Sequence, residues 1–294
     1  MWQELLQRIL LGDVKALARS ISLIENEQEG YFEFLQSLPA SSTKIIGITG
    51  PPGAGKSTLT DALINEIVSL HKRVGILCVD PSSPFNLGAL LGDRIRMSEW
   101  YNHPNVFIRS LATRGSLGGL HPKIIEIADL VKTAPFDYLI IETVGVGQSE
   151  VEIAGLADTT VVVMVPESGD EVQSMKAGLM EIADIFVVNK ADRPGAELFM
   201  KNLRSILIPS YGRREVAVLK TVADKREGVK ELFAEIATNL HTETPERKYL
   251  LQSEKAYYLL QQYRMRDVSK EQLKIELQSK QYSNLYQFIQ QYFK

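Results

Sequence analysis

A glycine-rich segment at residues 50–58 carries the clearest chemical pattern in the sequence. It reads GPPGAGKST and fits the spacing G-x-x-x-x-G-K-[ST]. Glycines at this spacing let backbone N–H groups cradle phosphate oxygens, while the lysine reaches the β- and γ-phosphates and the serine hydroxyl ligates Mg²⁺. A plain glycine-rich turn between a strand and a helix is the alternative. The predicted nucleotide-binding residues here are Gly50, Pro51, Pro52, Gly53, Ala54, Gly55, Lys56, Ser57 and Thr58.

A second motif, further along the chain, predicts which base is bound. Asn189, Lys190 and Asp192 form an N-K-x-D at the end of an apolar run. A carboxylate there accepts hydrogen bonds from the N1–H and the exocyclic amine of guanine, a donor pair that adenine lacks. Lys190 would lay its aliphatic stem along the base. Alone, the motif is about as often a capped loop, but downstream of a phosphate loop it favours GTP over ATP.

Three carboxylates near the ends of predicted strands suggest a cation site. Asp80 ends one strand, Asp93 lies thirteen residues later beyond a loop rich in Ser, Pro and Gly, and Glu142 ends another strand. Ligands bind at the carboxyl ends of strands in open α/β sheets, so these residues are expected near Ser57. Together they supply the oxygen ligands that Mg²⁺ prefers, with Glu142 binding directly or through water. The alternatives are an Asp80 that caps a helix or forms a turn before Pro81, and an Asp93 that forms a surface ion pair with Arg96 or caps a helix.

Phosphoryl transfer also needs a positioned water molecule and charge neutralisation. Lys56 and Mg²⁺ are predicted to neutralise charge, and Gln148, which follows a Gly-Val-Gly turn, is one candidate to orient the water. Gln148 is equally consistent with a helix-start residue that contacts a partner. Arg94, Arg109 and Arg114 are candidates for an arginine finger, and the sequence does not choose among them. We therefore predict slow intrinsic hydrolysis that rises when a partner is bound.

Predicted strands and helices alternate along residues 44–220, and these elements must position the residues named above. Short, nearly continuous apolar runs rich in Val and Ile are typical of strands that helices cover on both faces. Longer amphipathic segments such as 56–71 and 119–133 lie between them. The alternation predicts a doubly wound, mainly parallel α/β sheet. The predicted strands are KIIGIT, RVGILCVD, NVFIRSL, DYLIIETV, TTVVVMVP, DIFVVNK and EVAVLKT.

Helical segments flank this predicted core on both sides. Residues 2–38 show helical spacing with a break at LLGDV. Segments 246–265, 268–280 and 283–292 repeat Tyr, Leu and Ile at three and four residues, and are predicted to pack on the main domain or on a second subunit. The predicted domains are a helical N-terminal extension at 1–40, a P-loop domain at 41–244 and a helical C-terminal arm at 245–294.

Composition and charge disfavour several classes of function. The 294 residues carry a formal net charge of −3, which argues against binding nucleic acid. Residues 245–294 hold nine Lys/Arg and five Asp/Glu, which suits either an acidic partner surface or a solvated helical face. No run approaches 18 apolar residues, so no membrane span is predicted. With one cysteine, Cys78, and no targeting segment recognised, the expected location is the cytoplasm.

Several of these motifs, taken in order, resemble one known family. GPPGAGKST, VDPSSP…LGDRIRM, TRGSLGG (113–119), ETVGVGQSE and NKAD are similar to the MeaB/ArgK group of P-loop GTPases, and the resemblance covers nearly the whole chain. Members of this group are chaperones of adenosylcobalamin-dependent methylmalonyl-CoA mutase and related acyl-CoA mutases. The resemblance implies a homodimer, joined by the C-terminal arm, that binds GTP or GDP with Mg²⁺, docks on the mutase and gates delivery of intact cofactor.

The resemblance also implies roles for individual residues. The metal neighbourhood of the group matches the four metal-site residues named above. Asp170 and Lys176 would sense the partner, with a solvated loop as the alternative. The base-contacting stretch usually reads T-S-A in this group, and here it is Thr221, Val222 and Ala223. The serine hydroxyl is absent, but the backbone N–H of Ala223 is expected to face guanine O6.

Other functions remain open at this point. A metal-inserting maturation GTPase would need clustered His or Cys ligands, whereas the four His residues and Cys78 are widely spread. A protein-targeting GTPase would need a Met-rich domain, and the seven Met residues are scattered. A nucleotide-dependent binding module would hold nucleotide without multiple turnover. An older label for related sequences, a kinase of an amino-acid transport system, has no visible acceptor site here.

Overall fold

The computed structural model describes most of the chain. The described ranges are 1–80, 97–113, 120–144, 153–168, 183–207, 216–241, 245–279 and 282–293. Four predicted site residues lie outside these ranges, namely Asp93, Gln148, Asp170 and Lys176. The chain forms two compact units, Met1–Thr244 and Pro245–Lys294.

A seven-stranded parallel sheet lies at the centre of the first unit. Its strands are β1 (Lys44–Thr49), β2 (Val74–Asp80), β3 (Val106–Ala112), β4 (Tyr138–Glu142), β5 (Thr159–Met164), β6 (Ile185–Val188) and β7 (Ala217–Lys220). Neighbouring strands run parallel in the order β3-β2-β4-β1-β5-β6-β7. Each predicted apolar run supplies one of these strands, so the predicted doubly wound α/β fold is confirmed.

Helices cover both faces of the sheet. Those described in the first unit are α1 (Trp2–Leu10), α2 (Val14–Glu25), α3 (Tyr31–Gln36), α4 (Lys56–Ser69), α5 (Ile124–Thr133), α6 (Ala196–Ile206) and α7 (Val229–His241). Val161 and Val163 of β5 pack in one core with α4 and α7, whereas Val162 and Met164 pack in a second core with α6. Successive side chains of a strand point to opposite faces, so both faces of β5 are buried and must be apolar.

The strand order reverses beside β1, and this reversal determines where a ligand can bind. β2 and β3 lie on one side of β1, β5 to β7 lie on the other, and β4 is inserted next to β1. Glu142 is level with Ile48 of β1 and with Cys78 of β2, so these three strands end close together. Ligands of open α/β sheets bind beyond the carboxyl ends of the strands at such a reversal.

At the start of two helices, a single side chain determines where the helix begins. The predicted break at LLGDV is confirmed, because the Asp13 carboxylate caps α2 by accepting from the N–H groups of Lys15 and Ala16 at 2.9 and 3.0 Å. The helix predicted from residue 119 begins only at Ile124. Nδ1 of His121 accepts the backbone N–H of Lys123 at 3.0 Å, which makes a turn at this point instead.

The second unit contains helices α8 (Pro245–Arg264), α9 (Lys270–Ser279) and α10 (Leu285–Gln290) in its described part. These match the three predicted helical segments to within a few residues. Phe288 is 1% exposed and packs against the rings of Tyr282 and Tyr292. None of the described helices has both the length and the apolar composition needed to cross a membrane.

Candidate nucleotide and metal site

The segment between β1 and α4 forms the candidate phosphate loop. Gly50 has φ = 137°, and a Cβ at this position would collide with the backbone carbonyl of Val163 in β5. Gly53 also has a positive φ of 76°, but no heavy atom lies within 4 Å of the place that its Cβ would take. Lys56 begins α4 directly after the loop, so the first N–H groups and the positive dipole end of this helix lie at the loop. The arrangement suits an anion with several oxygens.

The side chain of Lys56 folds back into this loop. Its Nζ donates to the backbone carbonyl of Gly50 at 2.9 Å and to that of Pro51 at 3.1 Å, and the residue is only 7% exposed. A buried ammonium group is costly unless electronegative groups surround it. The two carbonyl dipoles offset part of this cost, and phosphate oxygens inside the loop would offset more. This placement is compatible with the predicted phosphate contact, which stays a prediction.

Asn189 and Lys190 connect the predicted base-binding motif to the phosphate loop. Asn189 follows β6, is 2% exposed, and donates from Nδ2 to the carbonyl of Ala54 at 3.0 Å. Lys190 has φ = 56° and donates from Nζ to the carbonyl of Gly53 at 2.7 Å. Two motifs that lie far apart in the sequence are therefore in direct contact at the carboxyl edge of the sheet.

Asn189 also accepts hydrogen bonds from the predicted base-contacting stretch at residues 221–223. Its Oδ1 accepts from Thr221 Oγ1 at 3.0 Å and from the backbone N–H of Ala223 at 3.1 Å. The N–H of Val222 donates to the carbonyl of Glu227 and closes a tight turn. The backbone N–H of Ala223, which is predicted to face guanine O6, donates to Asn189 in this structure, and its contact with guanine stays a prediction. The N–H is donated to Asn189 because the short 3₁₀ helix that begins at Ala223 folds against the asparagine amide.

Asp192, the last residue of the motif, pairs with a lysine that the sequence did not single out. Lys225 Nζ donates to Asp192 Oδ2 at 2.8 Å, and both side chains are largely exposed. This hydrogen bond lowers the pKa of the Asp192 carboxyl below its ordinary value. The carboxylate therefore stays ionised at neutral pH, and an ionised carboxylate only accepts hydrogen bonds. Such a group suits the two donors on the edge of guanine.

Ser57, Thr60 and Glu142 form a hydrogen-bonded cluster beside the phosphate loop. Ser57 Oγ donates to Glu142 Oε1 at 2.6 Å, and Thr60 Oγ1 donates to Glu142 Oε2 at 2.8 Å. All three residues are buried, as is Asp80 at the end of the neighbouring strand β2. Three of the four predicted metal-site residues thus lie at one edge of the sheet, and Asp93 is outside the described residues. Thr60 was not predicted as a site residue, although its position three residues after Ser57 places it on the same helix face.

The chemistry of these donors fits a magnesium ion. They are oxygen atoms only, and Mg²⁺ binds few protein oxygens because it keeps several waters. A serine hydroxyl has one hydrogen and two lone pairs, so Ser57 can donate to Glu142 while a lone pair ligates a metal. Within the ranges that the structure describes, no three His, Cys, Asp or Glu side chains cluster. A softer metal has no matching set of ligands there.

Arg109, a predicted candidate for an arginine finger, is occupied elsewhere. Its Nη2 donates to Glu25 Oε2 at 2.6 Å and to Ser22 Oγ at 3.0 Å, and both partners belong to α2. The guanidinium therefore joins β3 to α2, which disfavours Arg109 among the three candidates for the finger. Arg94 and Arg114 lie outside the described residues.

Comparisons with known proteins agree on one family. The profile of the family described as "Methylmalonyl Co-A mutase-associated GTPase MeaB" matches residues 17–276. A putative GTPase of Pyrococcus abyssi is 49% identical over 243 residues, which is 80% of this chain and 75% of the relative. The fused isobutyryl-CoA mutase of Geobacillus kaustophilus is 42% identical over 208 residues, 65% of this chain but 19% of that protein.

A solved structure, described as an LAO/AO transport system kinase, has the same fold. It superposes with a TM-score of 0.71 over 99% of this chain and 96% of its own. The sequence identity is 23%, so this likeness concerns the fold alone.

The two loop glycines give a matched pair of variants. We expect Gly50→Ala to lower the free energy of unfolding by about 2–4 kcal/mol, because it combines backbone strain with a collision against the Val163 carbonyl. Gly53→Ala adds the same methyl group in open space, so its cost should be limited to about 1–2 kcal/mol of strain. Urea denaturation of the nucleotide-free protein measures both. Equal losses would show that contact with β5 does not shape the loop.

Proposed function

The chain belongs to the family of methylmalonyl-CoA mutase-associated GTPases, and we propose that it assists an adenosylcobalamin-dependent acyl-CoA mutase. It is a GTP-hydrolysing enzyme with a P-loop core. The proposed role is to assemble, protect or reactivate methylmalonyl-CoA mutase by gating the loading of its cofactor. One observation carries this proposal beyond the family description: the relative from Geobacillus kaustophilus that shares a similar segment is itself called a fused isobutyryl-CoA mutase.

In this proposal the triphosphate lies in the loop of residues 50–55. The ammonium group of Lys56 compensates charge on the β- and γ-phosphates, and the N–H groups at the start of α4 donate to their oxygens. The burial of Lys56 supports this role, because an ammonium with little water around it interacts strongly with an anion. Hydrolysis then depends on the positions of these charges rather than on a covalent intermediate.

The guanine base lies over the N-K-x-D motif in the same proposal. Asp192 accepts the N1–H and the exocyclic amine of guanine, and the stem of Lys190 covers one face of the ring. The hydrogen bond from Lys190 Nζ to the carbonyl of Gly53 supports this arrangement. It holds the aliphatic stem of Lys190 between the proposed base site and the phosphate loop. Thr221, Val222 and Ala223 are proposed to lie beside the base, and Thr221 and Ala223 are held there by hydrogen bonds to Asn189.

Ser57, Asp80, Asp93 and Glu142 are proposed to hold Mg²⁺ directly or through water. When bound, the ion neutralises negative charge on the phosphates. Ser57 supplies a hydroxyl oxygen whose hydrogen is already directed to Glu142, and Asp80 and Glu142 supply negative charge at the ends of adjacent strands. Gln148 remains the proposed residue that orients the attacking water.

Slow intrinsic turnover is part of this proposal, and the pairing of Arg109 supports it. Among the described residues, Arg109 is paired with Glu25, so it does not neutralise the transition state. The mutase is proposed to raise the rate by contacting the segments that carry Gln148, Asp170 and Lys176. The cytoplasmic location stays a prediction.

The second unit is proposed to join two copies of the chain. Exposed apolar and aromatic side chains on α8 are separated by one, three and seven residues, which keeps them on one side of the helix, and such a surface is typical of an interface. The residues are Tyr249, Leu250, Tyr257, Leu260 and Tyr263. A metal-inserting role receives no comparable support, because Cys78 is buried inside β2.

Single-turnover GTP hydrolysis tests the proposed role. We expect the rate constant to rise by about tenfold or more when methylmalonyl-CoA mutase is added, since about 1.4 kcal/mol of added transition-state stabilisation produces a tenfold change. Lys56→Ala in the same mixture is the control, and it should show hydrolysis neither alone nor with the mutase. A parallel reaction with isobutyryl-CoA mutase identifies the preferred client. Unchanged rates with both mutases would contradict the proposal.

Exchange of one atom in Asp192 tests base recognition. In Asp192→Asn an amide nitrogen replaces one carboxylate oxygen, so we expect GTP to bind about 10–100-fold more weakly, as loss of a charge-assisted hydrogen bond predicts. Xanthosine triphosphate should bind better, because its C2 carbonyl accepts from the new amide.

Asp224→Asn is the control for base recognition. It removes the same charge from an exposed neighbouring position, and it should leave both affinities unchanged. Fluorescence titration with labelled nucleotides measures the affinities. If Asp192→Asn bound GTP as tightly as the original protein, the guanine assignment would be wrong.

A further inference from the structure

Thr60 is a buried residue whose hydroxyl group donates to Glu142, one of the residues proposed for the metal site. It lies in the second turn of α4, is 0% exposed, and donates from Oγ1 to Glu142 Oε2. The other oxygen of Glu142 accepts from Ser57. The carboxylate is therefore held from both sides by hydroxyl groups three residues apart on one helix.

A glutamate needs such a second contact more than an aspartate does. Its side chain has one additional rotatable bond, and the terminal carboxylate torsion of a glutamate is broad. A single hydrogen bond from Ser57 would restrain this torsion less than two hydrogen bonds do. Glu142 is 3% exposed, so water contributes little to fixing it. The hydroxyl of Thr60 adds the second restraint, because it donates to Oε2 at 2.8 Å.

We propose that Thr60 is a positioning residue for the magnesium site. Through Glu142 it keeps Oε1 on the Ser57 hydroxyl, so that the lone pairs of Ser57 point towards the metal position. Partners of metal ligands act in this way in other sites, and their loss typically costs about 10–100-fold in metal affinity or activity. The inference rests on the proposed magnesium-dependent GTP hydrolysis, which it deepens.

A purely structural role for Thr60 is the alternative, and it makes a different prediction. A packing defect in α4 would lower stability and would weaken nucleotide binding whether or not metal is present. A positioning defect would raise the magnesium concentration needed for half-maximal activity and leave metal-free nucleotide binding unchanged. Excess Mg²⁺ would then restore most of the turnover number.

The variants Thr60→Val and Thr60→Ser separate these alternatives. Valine keeps the shape and loses the hydroxyl, whereas serine keeps the hydroxyl and loses the methyl group. Thr159→Val is the matched control, because Thr159 is also 0% exposed but its Oγ1 has no hydrogen-bond partner in the described part of the chain. It lies at the amino end of β5, opposite the carboxyl edge of the sheet.

The experiment measures GTP hydrolysis against Mg²⁺ concentration and GDP affinity in EDTA. For Thr60→Val we expect the KM for Mg²⁺ to rise about 10–100-fold with unchanged GDP affinity in EDTA. Thr60→Ser and Thr159→Val should both match the original protein. If Thr60→Val does not fold, Thr60→Ala removes the same hydroxyl with less steric demand and carries the same expectation.

Two results overturn this inference. One is an unchanged KM for Mg²⁺ in the variants that lack the hydroxyl, and the other is an equal rise in Thr60→Ser. Failure of the proposed function gives a different result, because the original protein itself would then show no magnesium-dependent GTP hydrolysis.

Discussion

The phosphate loop keeps its shape because three different strands contact it from outside. Val163 of β5 leaves room only for a glycine at position 50, and Glu142 at the end of β4 accepts from Ser57 just after the loop. Asn189, which follows β6, donates to the carbonyl of Ala54. The buried ammonium of Lys56 depends on this shape, because its two carbonyl partners belong to the first residues of the loop. Because the loop already has its shape without ligand, less free energy is spent on ordering it when a ligand binds.

Asn189 joins recognition of the base to recognition of the phosphates. Its amide nitrogen binds the phosphate loop, and its amide oxygen binds the turn at Thr221 and Ala223. A buried amide with all of these contacts is costly to disturb, since each buried polar group left unpaired costs about 1–3 kcal/mol. The two ends of the nucleotide site are thus held at a fixed separation by one side chain.

The sheet was predicted well because each strand and the phosphate loop are marked by residues that lie next to one another in the sequence. Each strand is an apolar run of four to seven residues, and a glycine, lysine and serine at fixed spacing mark the loop. The contacts that Ala223 and Arg109 make in the structure could not be predicted from local patterns, because they depend on tertiary partners. Asn189 is 34 residues from Ala223, and Glu25 is 84 residues from Arg109. Thr60 was missed for the same reason, since a threonine inside a helix reveals its role only when β4 brings Glu142 to it.

The central claim is that this site binds a guanine nucleotide with Mg²⁺, and titration calorimetry of the full chain tests it most directly. Titration with GDP or GTP in Mg²⁺ should give a saturable heat, whereas ADP and ATP should bind at least about 100-fold more weakly, because they lack the donor pair that Asp192 accepts. Absence of heat with both guanine nucleotides, or equal affinity for adenine and guanine nucleotides, would contradict the account.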